Sequence, residues 1–248
     1  MRVLLLGGTT EAGQLAQALH TARIETVFSY AGRTNAPVAQ PVPVRVGGFG
    51  GVAGLMEYLA AEGISHVVDA THPFANTMAH NVHQACTART LPLMRLERPA
   101  WAPQHGDDWR SVPDIESVCA ALPNTPTRVF LAIGRMHIDQ FAAHPQHHYV
   151  LRLVDQPTAP IPLPNHSVIV ARGPFDVAAD KALMRAHSID YLVAKNAGGS
   201  GAAAKIAAAR DLGLPVVMID RPHRPNTVKT SDIETILRWL RHDAQRGV

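Results

Sequence analysis

Cysteine is nearly absent: the 248 residues hold only Cys86 and Cys119. The two are far apart and in no paired-ligand spacing, which excludes a disulfide framework and gives no support to a zinc site. A reducing compartment fits. Charge is also scarce, at 17% of residues, and nearly balanced, with 23 Lys and Arg against 20 Asp and Glu. A net charge of +3 suits an anionic ligand, but the Lys/Arg clustering of a nucleic-acid binder is missing, so nucleic acid is set aside as a partner. No apolar run approaches the length of a membrane span. The opening Met1-Arg2-Val3-Leu4-Leu5-Leu6 imitates a signal peptide, yet it stops at Gly7-Gly8 and is followed by acidic Glu11. It reads as a buried first strand, and a soluble, cytoplasmic protein with no membrane partner is expected.

What is present is an apolar content of 46%, enough for a packed core. Short β-branched runs alternate with helical patterns along almost the whole chain, the rhythm of parallel sheets covered by helices. The expected class is α/β. Strands are expected at 2–6, 25–30, 42–46, 66–71 and 93–97, with helices near 11–20, 52–62 and 74–89. Between Pro99 and Pro126 the pattern weakens, interrupted by Trp101, Pro103, Gly106 and Pro113. A second series follows, with strands at 128–133, 149–154, 167–171, 191–194 and 216–219 and helices near 177–187, 201–212 and 232–242. The expected organisation is a cofactor-binding Rossmann-like domain over 1–100, a connecting region over 101–126 and a second Rossmann-like domain over 127–248, with a ligand cleft between the lobes.

Four motifs sit where strands give way to helices. Gly7-Gly8-Thr9-Thr10-Glu11-Ala12-Gly13 follows the first strand, and its glycines and helix-opening N–H groups suit a phosphate. Its spacing departs from G-x-G-x-x-G, and a plain tight turn with Thr10 as N-cap competes. After the second strand comes Arg33 with no acid nearby, the pattern that accommodates the 2′-phosphate of NADP, although a surface arginine reads equally well. Asp69-Ala70-Thr71-His72-Pro73-Phe74-Ala75 ends another strand; Asp69 and His72 could serve acid/base chemistry, or Thr71 could simply cap a helix that Pro73 starts. Lys195-Asn196-Ala197-Gly198-Gly199-Ser200-Gly201 is a second anion-ready turn, against a flexible turn capped by Ser200.

Other patterns carry less. Tyr191-x-x-x-Lys195 imitates the catalytic pair of short-chain dehydrogenases, but on a strand those residues would lie roughly 13 Å apart rather than side by side. His144-Pro145-Gln146-His147-His148 reads as a loop, and His80 and His83 lack the Cys or acidic companions of a metal site, so no metal is expected. Arg95-Leu96-Glu97-Arg98-Pro99 could face an acidic ligand or pair internally.

Taken together, Gly7-Gly8-Thr9-Thr10-Glu11-Ala12, Asp69-Ala70-Thr71-His72-Pro73-Phe74-Ala75, Arg95-x-Glu97-Arg98-Pro99-x-Trp101, Arg172-Gly173-Pro174-Phe175 and Lys195-Asn196-x-Gly198-Gly199 resemble the precorrin-6A reductase family, in order and across nearly the whole chain. One departure is Ala197, where the family more often has serine. The resemblance implies two Rossmann-like domains facing one another across a cleft, between which strands can be exchanged. It also implies NADPH-dependent reduction of one carbon–carbon double bond of precorrin-6A, or its cobalt form, in cobalamin biosynthesis, with transient hand-over to neighbouring pathway enzymes.

On that reading Gly7, Gly8, Thr9, Thr10, Glu11, Arg33 and Thr71 bind the cofactor. Arg98, Arg172, Lys195, Asn196, Gly198 and Gly199 hold the macrocycle's carboxylates, while His72 and Lys195 are the catalytic candidates. Two rivals from other classes are a glycosyltransferase-like enzyme that pairs two such lobes around a nucleotide sugar, and a non-catalytic dinucleotide-binding sensor.

Overall fold

The computed structural model describes residues 1–32 and 37–245. Its first strand shows why the chain folds as it does. β1 (Arg2–Leu6) continues from Arg2 as an unbroken apolar run, Val3 to Leu6, whose successive side chains point to opposite faces of a sheet. Val3 and Leu5 enter one core, with Leu15 and Leu19 of α1 (Thr10–Thr21). Leu4 and Leu6 enter another, with Leu55 and Leu59 of α2 (Gly51–Ala61) and with Val82 and Cys86 of α3 (Asn76–Ala88). A strand covered on both faces gains nothing from a polar side, which explains the lack of alternation. α1 buries Ala12, Leu15, Ala16 and Leu19, the i, i+3, i+4, i+7 stripe of an amphipathic helix.

The chain divides into two compact units: Met1–Pro99 with His223–Val248, and Ala100–Pro222. In unit 1, β1 lies between β2 (Glu25–Tyr30) and β4 (His66–Asp69); β3 (Val44–Val46) flanks β2, and β5 (Leu93–Leu96) flanks β4. The remaining edge is β12 (Lys229–Thr230), paired parallel to β5. In unit 2 the order is β6 (Trp109–Val112), β11 (Val216–Ile219), β10 (Tyr191–Lys195), β7 (Arg128–Ala132), β8 (His148–Leu153), β9 (His166–Val170). Each six-stranded sheet is parallel throughout and repeats the doubly wound order 3-2-1-4-5-6. The sixth strands are exchanged: β6 follows β5 along the chain but joins the second sheet, and β12 follows β11 but joins the first.

The exchange corrects the domain limits expected from sequence. Residues 223–248 belong to unit 1 because α7 (Ile233–Gln245) lays Ile236, Leu237 and Leu240 into the core built by Val3, Leu5, Leu15 and Leu19. The expected connecting region 101–126 is part of unit 2, where it supplies β6 and α4 (Ile115–Ala121). Unit 2 packs Phe130, Val150, Leu192 and Met218 against Met184 of α5 (Val177–Ala186) and Ile206 and Ala209 of α6 (Ala204–Leu212). No described helix is long and apolar enough to cross a membrane.

Candidate functional site

In an open parallel sheet the carboxyl ends of the strands on either side of the order reversal form the natural ligand site. In unit 1 these are the ends of β1 and β4. The two glycines after β1 differ in role. A Cβ on Gly7 would stand 2.0 Å from the Phe28 ring, so Gly7 serves packing. Gly8 has φ +119° with nothing within 4 Å of an added Cβ; it turns the chain and leaves an open space beside the backbone.

Thr9, not Thr10, is the N-cap of α1: its Oγ1 accepts from Ala12 N at 3.1 Å and donates to the Ala70 carbonyl at 3.0 Å. One hydroxyl therefore ties the turn after β1 to the turn after β4. The first N–H groups of α1, beginning with Thr10 and Glu11, have no intrahelical acceptor and stand at the positive end of the helix. This is a turn of the kind that holds a dinucleotide pyrophosphate, and the open space at Gly8 fits such a group. The Glu11 carboxylate is not spare, since its Oε2 takes Arg98 Nη1 at 2.6 Å.

The turn after β4 is built on a buried charge network. Asp69 is fully buried, and its Oδ2 accepts from Arg95 Nε at 3.2 Å and from Arg224 Nη2 at 2.8 Å. Its Oδ1 accepts from the Thr71 amide at 3.1 Å and the Thr71 hydroxyl at 2.6 Å. Arg224 also reaches Thr71 Oγ1 at 3.1 Å and Glu97 Oε2 at 2.9 Å. Thus Arg95 and Glu97 pair with groups on other elements rather than with each other.

Thr71 does not cap α3, which begins at Asn76 after an N-cap, Ala75, that makes no side-chain bond. His72 Nδ1 accepts from Phe74 N at 3.2 Å, so a neutral ring carries its proton on Nε2. His80 and His83 go separate ways, to the Asn76 carbonyl at 2.9 Å and to Thr227 Oγ1 at 3.4 Å. Among the described residues no three His, Cys, Asp or Glu side chains gather as a metal would need.

Unit 2 differs at the equivalent place. Lys195 ends β10, and Gly198 and Gly199 take φ of 68° and 71°. The Asn196 amide, expected to meet substrate, is instead committed to the backbone of Trp101, accepting its N–H at 2.8 Å and donating to its carbonyl at 3.0 Å. Trp101 Nε1 donates to the Gly199 carbonyl at 2.8 Å, and Arg221 holds the Asn196 and Ala197 carbonyls at 3.0 and 3.1 Å. Ser200 is no cap; the N-cap position of α6 is Ala203. Arg172 is 43% exposed and lies 3.6 Å from Asp155. Tyr191 and Lys195 lie at opposite ends of one strand, as expected.

Arg33 lies outside the described residues. Arg224 and Arg221 escaped the sequence reading. Both follow β11 in Arg221-Pro222-His223-Arg224-Pro225, and the carboxyl end of a buried strand was the signal used for every other motif.

Two parallel sheets in this order, with a glycine turn and a capped helix at the switch point of one, define a Rossmann-class protein of two units. Residues 2–241 match the family described as "Precorrin-6x reductase CbiJ/CobK". Similar curated proteins are the precorrin-6A reductases of Rhodobacter capsulatus, 56% identical over 96% of this chain and 95% of the relative, and of Sinorhizobium sp., 46% identical over 96% and 94%. A solved structure described as "CobK precorrin-6A reductase" is 55% identical, covers 98% of this chain and 96% of its own, and superposes with a TM-score of 0.94. The chain belongs to the precorrin-6x reductase family. It is therefore an oxidoreductase, and its family draws on a nicotinamide cofactor.

Proposed function

We propose that this chain uses NADPH to reduce one carbon–carbon double bond of the precorrin-6A macrocycle, giving precorrin-6B, in the cytoplasmic synthesis of cobalamin. The observation that carries the reading is the turn from Gly8 to Thr9 at the switch point of unit 1, in a chain matching the reductase family from residue 2 to residue 241. The bound cofactor supplies a hydride. The protein's task is then mainly to position, to exclude water and to bring a proton. The α1 N–H groups bind the pyrophosphate and Arg33 the 2′-phosphate. Precorrins carry many acetate and propionate groups, for which Arg172 and Lys195 are the cations, while Arg98 anchors Glu11 beside the phosphate turn. His72, in its imidazolium form, delivers the proton to the neighbouring carbon and is left as the neutral ring.

The test is fluorescence titration with NADPH and NADH, followed by addition of precorrin-6A while cofactor absorbance is recorded for the native chain and for His72→Ala. Tighter binding of NADPH, oxidation that depends on precorrin-6A, and a loss of about 100-fold in turnover for the variant are expected. Binding of neither cofactor would sink the reading, and an unchanged rate in the variant would remove His72 from it.

A further inference from the structure

The network around Asp69 does more than neutralise a buried acid, because it leaves Thr71 only one way to bind a ligand. A threonine hydroxyl has one proton and two lone pairs. Asp69, held by two guanidinium groups, is a carboxylate and can only accept, so the bond of 2.6 Å to its Oδ1 uses the Thr71 proton. Arg224 can only donate, so its contact of 3.1 Å with Thr71 Oγ1 uses one lone pair. One lone pair remains. Thr71 can thus accept a hydrogen bond from a ligand but has none to give, and it is unsuited to a phosphate oxygen.

Position indicates which donor it meets. In a doubly wound sheet one half, here β1 to β3, takes the adenosine portion of a dinucleotide, and the half beginning at β4 takes the other nucleotide. Thr71 opens the turn after β4, partly exposed, one strand away from the phosphate turn. The group there with spare N–H donors is the nicotinamide carboxamide.

We infer that Thr71 Oγ1 accepts a hydrogen bond from the carboxamide of the cofactor, and that Arg224 is the positioning residue that keeps it an acceptor. Arg224 acts through Thr71 without touching the ligand. Its fork spans Asp69 at the end of β4, Thr71 just beyond it and Glu97 after β5, so the segment that returns to unit 1 late in the chain sets the nicotinamide side of the site. A lysine would keep the charge but could not span these groups in one plane. The inference rests on the nicotinamide reading above.

The experiment compares binding of NADP+ with that of its 3-acetylpyridine analogue, in which a methyl ketone replaces the carboxamide and the N–H donors are gone. It uses the native chain, Thr71→Val, Arg224→Lys and the double variant, with thermal unfolding recorded for each. The native chain should prefer NADP+ by about tenfold, the worth of one hydrogen bond. Thr71→Val, which removes no charge, should abolish that preference. Arg224→Lys should weaken it, and in the Thr71→Val background should change it no further.

Retention of the preference by Thr71→Val would overturn the assignment. Independent, multiplying effects of the two substitutions would overturn the positioning role, and so would an Arg224→Lys that lowers both affinities alike and leaves the preference unchanged, as a merely structural arginine would. If Arg224→Lys does not fold, Thr71→Val alone decides the assignment. Failure of the native chain to bind either dinucleotide overturns the cofactor reading and this inference with it. Turnover of NADPH with precorrin-6A by a native chain that shows no preference overturns this inference alone.

Discussion

The two units share a strand order and differ at its centre. After β1 the chain makes a glycine turn and enters a capped helix of 12 residues, whereas after β7, its counterpart in unit 2, it passes through a 3-10 helix of six residues, Ile138–Ala143, with no side-chain cap. A short 3-10 segment aligns few peptide dipoles and offers no ready site for a pyrophosphate. At the partner strand the contrast is one of charge. The turn after β4 rests on a buried carboxylate clasped by arginines, while the turn after β10 rests on an amide clasping the backbone of Trp101. Sheet topology builds the same kind of crevice twice, and the helix that follows the first strand and the side chains at the rim differ between the two.

The largest expected difference between the turns comes from removing the buried acid. Asp69→Ala leaves Arg95 and Arg224, each about 5% exposed, without their shared carboxylate, and should cost about 3–5 kcal/mol in denaturant unfolding. Asn196→Ala, which breaks neutral bonds to backbone, should cost about 1–3 kcal/mol. Equal losses would mean that the acid network contributes no more than the amide clasp.

A smaller effect sharpens the comparison of caps. Thr9→Ala in unit 1 and Asp176→Ala, which removes the cap of α5 in unit 2, should each cost about 1 kcal/mol of stability. Only the first should also weaken NADPH binding, because Thr9 ties the turn after β1, proposed above to hold the phosphates, to the turn after β4. Loss of cofactor affinity in Asp176→Ala would argue that the nucleotide reaches unit 2.

The smallest effect is one of pH. Burial lowers the pKa of His66, against the pull of Asp243, and burial likewise lowers those of His147 and His148 in unit 2. A depressed folded-state value means that the unfolded chain binds the proton more tightly, so stability is full above the usual histidine value of about 6.5 and declines as pH falls below it. Denaturant midpoints from pH 8 to pH 5 should fall, and His66→Phe should flatten only the share that belongs to unit 1. An unaltered slope in that variant would remove His66 as a cause.

The class, the long strands and the main site turns were legible because each depends on local pattern. Buried runs such as Val3–Leu6 are apolar throughout, α1 carries its stripe, and glycine with a hydroxyl marks the passage from strand to helix. β6 and β12 were not legible. They are short edge strands, Trp-Arg-Ser-Val and Lys-Thr, with a polar composition that an edge tolerates and a core strand would not. Their sheet is chosen by partners far along the chain, Val216–Ile219 for one and Arg95–Leu96 for the other.

The site divides along the same line. Gly8, Thr9, Asp69, Thr71 and His72 were read as candidates because each ends or follows a strand that announces itself. The identity of the cap, Thr9 rather than Thr10, was decided by backbone geometry, and the commitment of Asn196 to Trp101 by a contact across 95 residues. Arg224 meets Asp69 across 155 residues, and nothing local to either one declares the meeting. By itself the sequence determined that this is a protein of parallel sheets with anion-ready turns, because hydrophobic burial and backbone conformation act within a few residues. Only the tertiary structure decided which edge each sixth strand completes and which arginine reaches Asp69 and Thr71, because those depend on distant segments meeting where a buried charge must be paired.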